Sequence, residues 1–482
     1  MSRRSAGAVL ALAVLAFCAC SRKSAPSWPA SARPSGNGVW FADGFGSEWD
    51  ETEALERMAR GGFSWALIPA ARLERRGNRW VVVALAPPAR PITSAIVSPV
   101  VGGNGDVSAT LLGKDARARR ALEDALALAV QTVLNERTRF GAVGGVHLDL
   151  PLTVETAKPC ADVLRRIRSR LPAGLFLSVT LKFAPPVEAR EKLKELAGAA
   201  DGFIAMVFGE GANADPAAAD LLGRPWWAGY SPNAEGRWKS SPGEDRGSLP
   251  EGFLARLSDD PSLEFRHDME VEEQVGLGYL FRARRAVTVQ GRHFAAGDEV
   301  VFQQPFLTDM IRRLGKDLAG RRFARGRVVR FGGRSDTDRI FTLPALSDIL
   351  MGRSLEPTLR VSIEGSPGAL AISAENSTAM PSVLSRVSNW VEVDLARPGI
   401  RDVRPGGFDR YEVYAASGHR VSLGRASRVR FYETLIGPYE NIAAATVVVR
   451  PPVDEACCRF RYHLLSATGP EVTTDWRTAL GR

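Results

Sequence analysis

Cysteine is scarce in this sequence, and the cysteines present are placed where they can form little structure. The chain of 482 residues contains five, and two of them, Cys18 and Cys20, end an N-terminal apolar segment. The other three, Cys160, Cys457 and Cys458, are an odd number, and two of these are adjacent. Because adjacent cysteines rarely bond to each other, these three permit at most one disulfide, and a disulfide-based scaffold is excluded.

The sequence also lacks the usual motifs of metal, nucleotide and serine-hydrolase sites. It contains five histidines, but no Cys-x-x-Cys or His-x-x-x-His spacing, no Walker loop and no Gly-x-Ser-x-Gly turn. We therefore expect no metal site and no cofactor. The net charge is +9, yet the basic residues form no block of five or six, so we expect a solvated basic surface and no nucleic-acid partner.

The N-terminus has the order of residues found in export signals. Arg3 and Arg4 precede an apolar stretch at 6–17, which has the length of a signal-peptide core and is too short to span a bilayer. The segment Phe17-Cys18-Ala19-Cys20 resembles the lipobox of bacterial lipoproteins, with a small residue directly before Cys20. An ordinary secretory signal that is cleaved nearby is the alternative.

The resemblance to a lipobox implies a membrane anchor. We predict that residues 1–20 are a lipoprotein signal peptide and that Cys20 carries the lipid, which includes palmitate. Residues 21–37 are rich in Ser, Pro and Ala, which is typical of a flexible tether. Ser21 directly after the cysteine resembles lipoproteins sorted to an outer membrane. We therefore expect a lipid-anchored protein of the bacterial cell envelope, with the membrane as one partner.

Between residues 38 and 352, short apolar runs alternate with helical patterns. The helical spacing is clearest at 116–135, where Asp115 is a candidate N-cap. Strands that alternate with helices favour a parallel sheet, and eight such units predict an α/β fold of the (β/α)8 TIM-barrel type. A doubly wound open sheet is the alternative. The eight strand-like runs lie near residues 40, 65, 97, 147, 178, 205 and 228 and at 327–331.

Two further regions have a sequence pattern different from that of the predicted barrel. A long, less regular insertion precedes the last predicted strand, and within it we predict a β-hairpin near 286–303, flanking Gly291 and Gly297. From about residue 355 helical periodicity is absent, and short strand-like runs are separated by Pro and Gly. Such spacing predicts a separate all-β sandwich domain at 356–482.

Functional residues of a barrel lie at the carboxyl ends of its strands. Asp149 ends the fourth predicted strand and Glu210 follows the sixth, so the two could face one cleft. Glycoside hydrolysis needs two carboxyl groups about 5 Å apart for retention or about 6.5–9.5 Å apart for inversion. We therefore predict Asp149 and Glu210 as catalytic residues. The predicted substrate-binding residues, which include aromatic rings able to stack on sugars, are Trp40, Asp43, Lys182, Trp227 and Tyr230.

Each of these candidates also has a purely structural interpretation. Asp149 could form a buried ion pair with Lys182, and Glu210, which lies between two glycines, could be a solvated loop acid. The tryptophans could pack the barrel core. These alternatives stay open at the level of the sequence.

The run Gly145-Val146-His147-Leu148-Asp149 resembles the fourth-strand motif of chitinase-type glycoside hydrolases, in which acids alternate along the strand and a Glu closes it. Only Asp149 matches an acidic position. His147 occupies the place of an Asp, and Pro151 occupies the place of the Glu. The resemblance therefore implies a related strand in which most of the acids are missing.

A wider resemblance, over about residues 38–352, is to a bacterial lipoprotein family called the domain of unknown function thirty-one forty-two. This family is thought to have a glycosidase-like barrel, so the resemblance implies that architecture. The sequence departs from the family at Leu150-Pro151, where a second acid is usual, and at Met206 and Phe208, where Gln and His are usual. The matching segments are His147-Leu148-Asp149, 164–168, 175–181, 203–209 and 326–329.

Three classes of function follow from these patterns. The first is an anchored enzyme, a glycoside hydrolase that acts on carbohydrate or cell-wall glycan. The second is a degenerate barrel that binds glycan without cleaving it, which the missing acid at Pro151 favours. The third is a scaffold protein of the cell envelope. An aromatic-lined cleft with two carboxylates would distinguish the first two classes from the third.

Overall fold

A computed structural model describes most of the chain from residue 33 onward. The described part divides into two compact units, of which the first contains 33–42, 63–230 and 317–330, and the second contains 61–62, 231–316 and the chain from 331. The insertion that precedes the last predicted barrel strand thus groups with the C-terminal part of the chain. The described residues are 33–42, 61–88, 90–150, 152–181, 190–206, 216–231, 234–241, 243–249, 252–267, 277–304, 315, 318–331, 345–346, 348, 353, 356–450, 452, 454–466 and 471–478.

Seventeen strands and seven helices are described up to residue 331. The strands are β1 (Asn37–Phe41), β2 (Phe63–Arg76), β3 (Arg79–Ala84), β4 (Ile92–Gly102), β5 (Gly141–Val143), β6 (Gly145–Asp149), β7 (Phe176–Leu181), β8 (Gly202–Met206), β9 (Trp226–Tyr230), β10 (Glu235–Lys239), β11 (Asp245–Leu249), β12 (Leu263–His267), β13 (Leu277–Ala283), β14 (Val287–Val289), β15 (Arg292–Phe294), β16 (Glu299–Gln304) and β17 (Ala324–Phe331). The helices are α1 (Gly105–Leu112), α2 (Ala116–Asn135), α3 (Arg137–Phe140), α4 (Val154–Arg168), α5 (Arg190–Ala199), α6 (Pro216–Leu221) and α7 (Gly252–Asp259).

Eight of these strands form a closed parallel barrel. The ring runs β1-β2-β4-β6-β7-β8-β9-β17, and β17 lies next to β1 again, so that the sheet closes. The pairings from β1 round to β17 are all parallel. These are the eight strands that the sequence predicted, and the closure excludes the open, doubly wound alternative. In the described residues, helices lie between β4 and β6, β6 and β7, β7 and β8, and β8 and β9, whereas β2 leads to β4 through the hairpin strand β3.

Helices α2 and α4 begin where side chains satisfy their first backbone N–H groups. Asp115 accepts hydrogen bonds from the next turn of α2, as predicted. Helix α4 begins at Val154 because Thr153 and Thr156 form a reciprocal capping box. Both helices bury their apolar stripe, and the buried Glu123 of α2 pairs with Arg166 of α4 at 2.7 Å.

Large aromatic side chains fill the amino end of the barrel. The indole N–H groups of Trp65 and Trp227 both donate to the carbonyl of Gly36, at 3.3 and 3.1 Å, and the two rings lie 5.2 Å apart. Gly38 lies on a neighbouring strand where a Cβ would be 2.6 Å from the Trp65 ring. Each strand contributes alternate residues to this interior, and the resulting core contains Trp40, Trp65, Leu67, Val100, Phe176, Ile204, Met206, Trp227 and Val328.

The insertion forms an antiparallel sheet in the order β11-β10-β16-β13-β12. The hairpin predicted near 286–303 is shorter than expected, because β14 pairs with β15 while β16 pairs with β10 and β13. The turn explains the shorter hairpin. Gln290 and Gly291 both have positive φ, which is the geometry of a tight two-residue hairpin. The strand at Glu299–Gln304 is therefore a central strand of the larger sheet.

The C-terminal part contains two antiparallel sheets that share one core. One sheet has the order β18-β19-β24-β21, and the other has the order β22-β23-β20-β25-β26, with β27 also paired to β25. Apolar residues from both sheets form a single buried cluster, which is the packing predicted for a sandwich. The strands are β18 (Leu359–Ser366), β19 (Ala369–Asn376), β20 (Trp390–Asp394), β21 (Ile400–Arg404), β22 (Arg410–Tyr414), β23 (Arg428–Tyr432), β24 (Asn441–Val449), β25 (Arg459–Leu465), β26 (Glu471–Thr473) and β27 (Arg477–Thr478).

The cysteines within the described residues form no disulfide. Cys160 and Cys458 are buried, and Cys457 is exposed. Burial raises the pKa of the Cys160 thiol to about 12, so it stays protonated at neutral pH. In the part of the chain that the structure describes, no helix has the length and apolar character needed to cross a membrane.

The aromatic end of the barrel makes a specific prediction about stability. Replacing Trp227 by Ala leaves a cavity against Trp65 and Phe176 and removes a hydrogen bond to Gly36. We expect the free energy of unfolding of the barrel to fall by about 3–5 kcal/mol, measured by chemical denaturation followed by circular dichroism. Leu128→Ala is the control, because Leu128 is 59% exposed; equal effects of the two changes would contradict the packing described.

Candidate functional site

Asp149 is the last residue of β6, at the carboxyl end of the barrel. It is half-buried, and its backbone carbonyl accepts a hydrogen bond from the N–H of Gly103 at 3.0 Å. Its side chain lies on the same face of β6 as that of His147, because residues two apart in a strand share a face. That face is the interior one, as the contacts of His147 show. The predicted carboxylate is thus placed where barrels place their functional groups.

Below Asp149, His147 forms the centre of a buried polar network. It is 0% exposed, and its two ring nitrogens lie 2.8 Å from the hydroxyl groups of Ser178 and Thr180 on the neighbouring strand β7. The ring of Trp40 contacts it edge-on, with centroids 5.4 Å apart. A polar ring in this core is tolerated because both of its nitrogens have hydrogen-bond partners.

The three predicted aromatic binding residues in the described chain are all buried. Trp40 contacts His147 in the interior, whereas the indole of Trp227 hydrogen-bonds at the amino end, away from the carboxyl end where Asp149 lies. Tyr230 ends β9, but its position alternates with that of Trp227, so it faces away from the barrel interior. Burial raises the pKa of Tyr230 well above its usual range, and the charge of Arg327 opposes the shift.

Four predicted residues lie outside the described part of the chain. They are Asp43, Lys182, Glu210 and Cys20, the predicted lipid-attachment residue. Of the two predicted catalytic residues, only Asp149 lies in the described part of the chain. The assignments of the other four residues stay predictions.

The sequence interpretation treated His147 as a departure from an acidic motif and missed its partners. The sequence did contain a signal: the polar residues His147 and Asp149 are two positions apart, and so are Ser178 and Thr180 on the next barrel strand. In the register of these two strands, His147 lies directly opposite Ser178. Polar residues with matched period on adjacent strands indicate a cross-strand network.

The described residues contain no group of three or more His, Cys, Asp or Glu side chains that could hold a metal ion. Two residues before Asp149 on the same face of β6, an imidazole is hydrogen-bonded to two hydroxyl groups. Such a site can bind through hydrogen bonds and can supply one carboxylate for acid–base chemistry.

Comparison with known proteins yields likeness at the level of structure alone. No family model matches the chain, and no curated protein matches it. One solved structure that resembles it is the spore cortex-lytic enzyme SleL of Bacillus cereus, with 13% identity and a TM-score of 0.37; the match covers 66% of this chain and 74% of that one. Another is the spore cortex-lytic enzyme SleL of Bacillus megaterium QM B1551, with 13% identity and a TM-score of 0.36; the match covers 62% of this chain and 70% of that one. Likeness of this degree does not determine an activity.

The His147 network makes a prediction about stability that separates its hydrogen bonds from its packing. In His147→Leu, the hydroxyls of Ser178 and Thr180 lose their partner in the core, and we expect a cost of roughly 1–3 kcal/mol for each. The triple variant His147→Leu, Ser178→Ala, Thr180→Val also removes the two hydroxyls that would be left without a partner. Its free energy of unfolding, measured by chemical denaturation, should therefore be higher than that of the single variant. A triple variant less stable than the single one would refute this account.

Proposed function

We propose that the barrel binds or acts on carbohydrate, with Asp149 as its central carboxylate. The observation that carries the proposal is the position of Asp149 at the carboxyl end of β6, on the interior face of a closed parallel barrel. An acid at the end of a buried strand is costly unless it is paired or used. Use is supported by the polar layer two residues earlier on the same face, where His147 is hydrogen-bonded to Ser178 and Thr180.

The enzymatic form of the proposal is a glycoside hydrolase of the (β/α)8 class. The helices between the strands from β4 to β9 support that class. Asp149 and Glu210 would be the two carboxylates, one as general acid and the other as nucleophile or base. Asp43 and Lys182 stay candidates for positioning the substrate. Trp40 is buried against His147, and Trp227 and Tyr230 face away from the carboxyl end and from the interior, respectively, so these three rings are better explained as packing.

The second candidate is a glycan-binding barrel without catalysis. The specific observation in its favour is His147, which occupies a place where chitinase-type strands carry an acid and which is fully buried between two hydroxyl groups. A group enclosed in this way cannot contact a substrate. This leaves Asp149 as the one acid of β6, and a single carboxylate suits binding better than hydrolysis.

We further propose that the protein is exported and lipid-anchored through Cys20, and that it belongs to the family called the domain of unknown function thirty-one forty-two. The sequence motifs described above support both statements. A lipid anchor would hold the barrel at a cell surface, where glycan is the abundant polymer. The anchoring and the barrel activity can be tested independently.

The activity test compares Asp149→Asn and Glu210→Gln with the parent in a glycan array and a reducing-sugar release screen. For a hydrolase, we expect each variant to lose turnover by about 10²-fold or more, as for a general acid or base. Asp162→Asn is the matched control, because it makes the same change on the exposed face of α4. Binding without sugar release indicates the non-catalytic form. If no glycan is bound or released, the proposal is overturned.

The lipid test uses metabolic labelling with a fatty-acid probe. Label should be lost in Cys20→Ser and retained in Cys18→Ser, because Ala19 makes Cys20 the better acceptor. Membrane fractions of the same cells should lose the protein in parallel, since the lipid supplies the attachment. Label that survives Cys20→Ser would show that the acylated residue is another one.

A further inference from the structure

The outward face of the sheet β22-β23-β20-β25-β26 carries paired arginines above buried carboxylates. Glu392 of β20 is 2% exposed at its side chain and lies between Arg430 of β23, at 3.1 Å, and Arg461 of β25, at 2.7 Å. Two residues along β20, Asp394 lies between arginines of the same two strands in the same way. The opposite face of these strands forms the sandwich core, so this polar face is directed away from that core.

The second and third acids of the face repeat the pattern of the first. The carboxylate of Asp394 is 3.4 Å from Arg428 and 3.0 Å from Arg459. That of Glu412 on β22 is paired with Arg410 at 3.1 Å and with Arg420 at 3.3 Å. Six arginines therefore share three carboxylates, which leaves three positive charges in excess. We call this set of nine residues the arginine face.

Aromatic rings hold the guanidinium groups in place. The Arg430 guanidinium lies 4.1 Å from the centroid of Trp390, and that of Arg461 lies 4.7 Å from the centroid of Trp476. Trp390 is also stacked on His463, with ring planes 13° apart. Stacked and ion-paired arginines lose little freedom on binding, because their planar groups are already oriented.

Within the arginine face the guanidinium groups are more exposed than the carboxylates they pair with; beyond it, the exposed Glu471 of β26 pairs with His463 at 3.2 Å. The side chains of Arg459 and Arg461 are 49% and 30% exposed, whereas those of Asp394 and Glu392 are 6% and 2% exposed. The acids thus anchor the arginines from below, and the outer donors of the guanidinium groups stay accessible. Arg459 and Arg461 project from the same side of β25, about 7 Å apart by strand geometry. Oriented guanidinium groups of this kind match carboxylates through paired N–H donors.

We propose that the arginine face binds a polyanionic polysaccharide through the carboxylates of its sugar units. Charge complementarity selects an anionic chain. The ring contacts select against single-stranded nucleic acid, because base stacking needs open aromatic faces, and here Trp390 is covered by Arg430 and His463. The assignment concerns a surface separate from Asp149 and does not rest on the function proposed for the barrel.

The test measures binding of the full chain to polygalacturonate by calorimetry, with methyl-esterified polygalacturonate as the uncharged match. We expect binding to the acidic polymer alone, with affinity that falls as salt is raised. The variant Arg459→Gln, Arg461→Gln should bind about tenfold or more weakly, since charged hydrogen bonds are lost. It should still fold, because Glu392 and Asp394 each keep one arginine partner.

The matched control is Arg360→Gln, Arg404→Gln, which removes two arginines that are 73% and 79% exposed on the other sheet. It should bind like the parent. Arginine-selective labelling of the parent with phenylglyoxal gives a second readout that needs no variant: polygalacturonate should protect Arg459 and Arg461 but not Arg360 or Arg404.

Four results would overturn the proposal. The first is equal binding of the acidic and esterified polymers. The second is equal loss of affinity in the control and test variants. The third is labelling of Arg459 and Arg461 that the polymer does not protect. The fourth is that the parent binds duplex DNA more tightly than it binds the polymer, and that the test variant loses this DNA binding, which would assign the face to nucleic acid.

Discussion

Closure of the eight-stranded ring is the constraint on which the rest of the barrel depends. Once β17 lies beside β1, alternate residues of every strand must share one narrow interior. Large side chains at the amino end are accommodated because neighbouring strands supply glycine, as Gly38 does beside Trp65 and Gly202 does beside Phe176. The interior is therefore a packed core, and its carboxyl end is where Asp149 lies.

The same closure explains why polar residues in the barrel form pairs across strands. His147, Ser178 and Thr180 are enclosed, and water is not available to them in a packed core. Each hydrogen bond must then come from the adjacent strand, which the parallel register of β6 and β7 supplies. A network satisfied in this way orients the residues above it, and Asp149 follows His147 by two positions on the same face. The candidate carboxylate is therefore preceded on its own face by a layer of satisfied hydrogen bonds.

Strand β20 of the C-terminal sheets carries apolar side chains on one face and charged or aromatic side chains on the other. On β20, Val391 and Val393 enter the core, while Trp390, Glu392 and Asp394 point outward. The outward acids are buried although they lie on the outer side, because arginines from both neighbouring strands close over them. Ion pairs that are shared and stacked in this manner keep long side chains in defined positions. This order distinguishes the face from a surface with scattered charges.

The sequence by itself determined the eight barrel strands, the cap at Asp115 and the strand-rich C-terminal region, because alternation and helical spacing are local properties of the chain. It did not determine that Glu299–Gln304 pairs with β10 and β13, nor that His147 meets the hydroxyls of β7. Nor did it show that Trp227 points to the amino end and Tyr230 away from the interior. These outcomes depend on which strands become neighbours and in what register, and only the tertiary structure decides that, since strand pairing joins residues far apart in the chain.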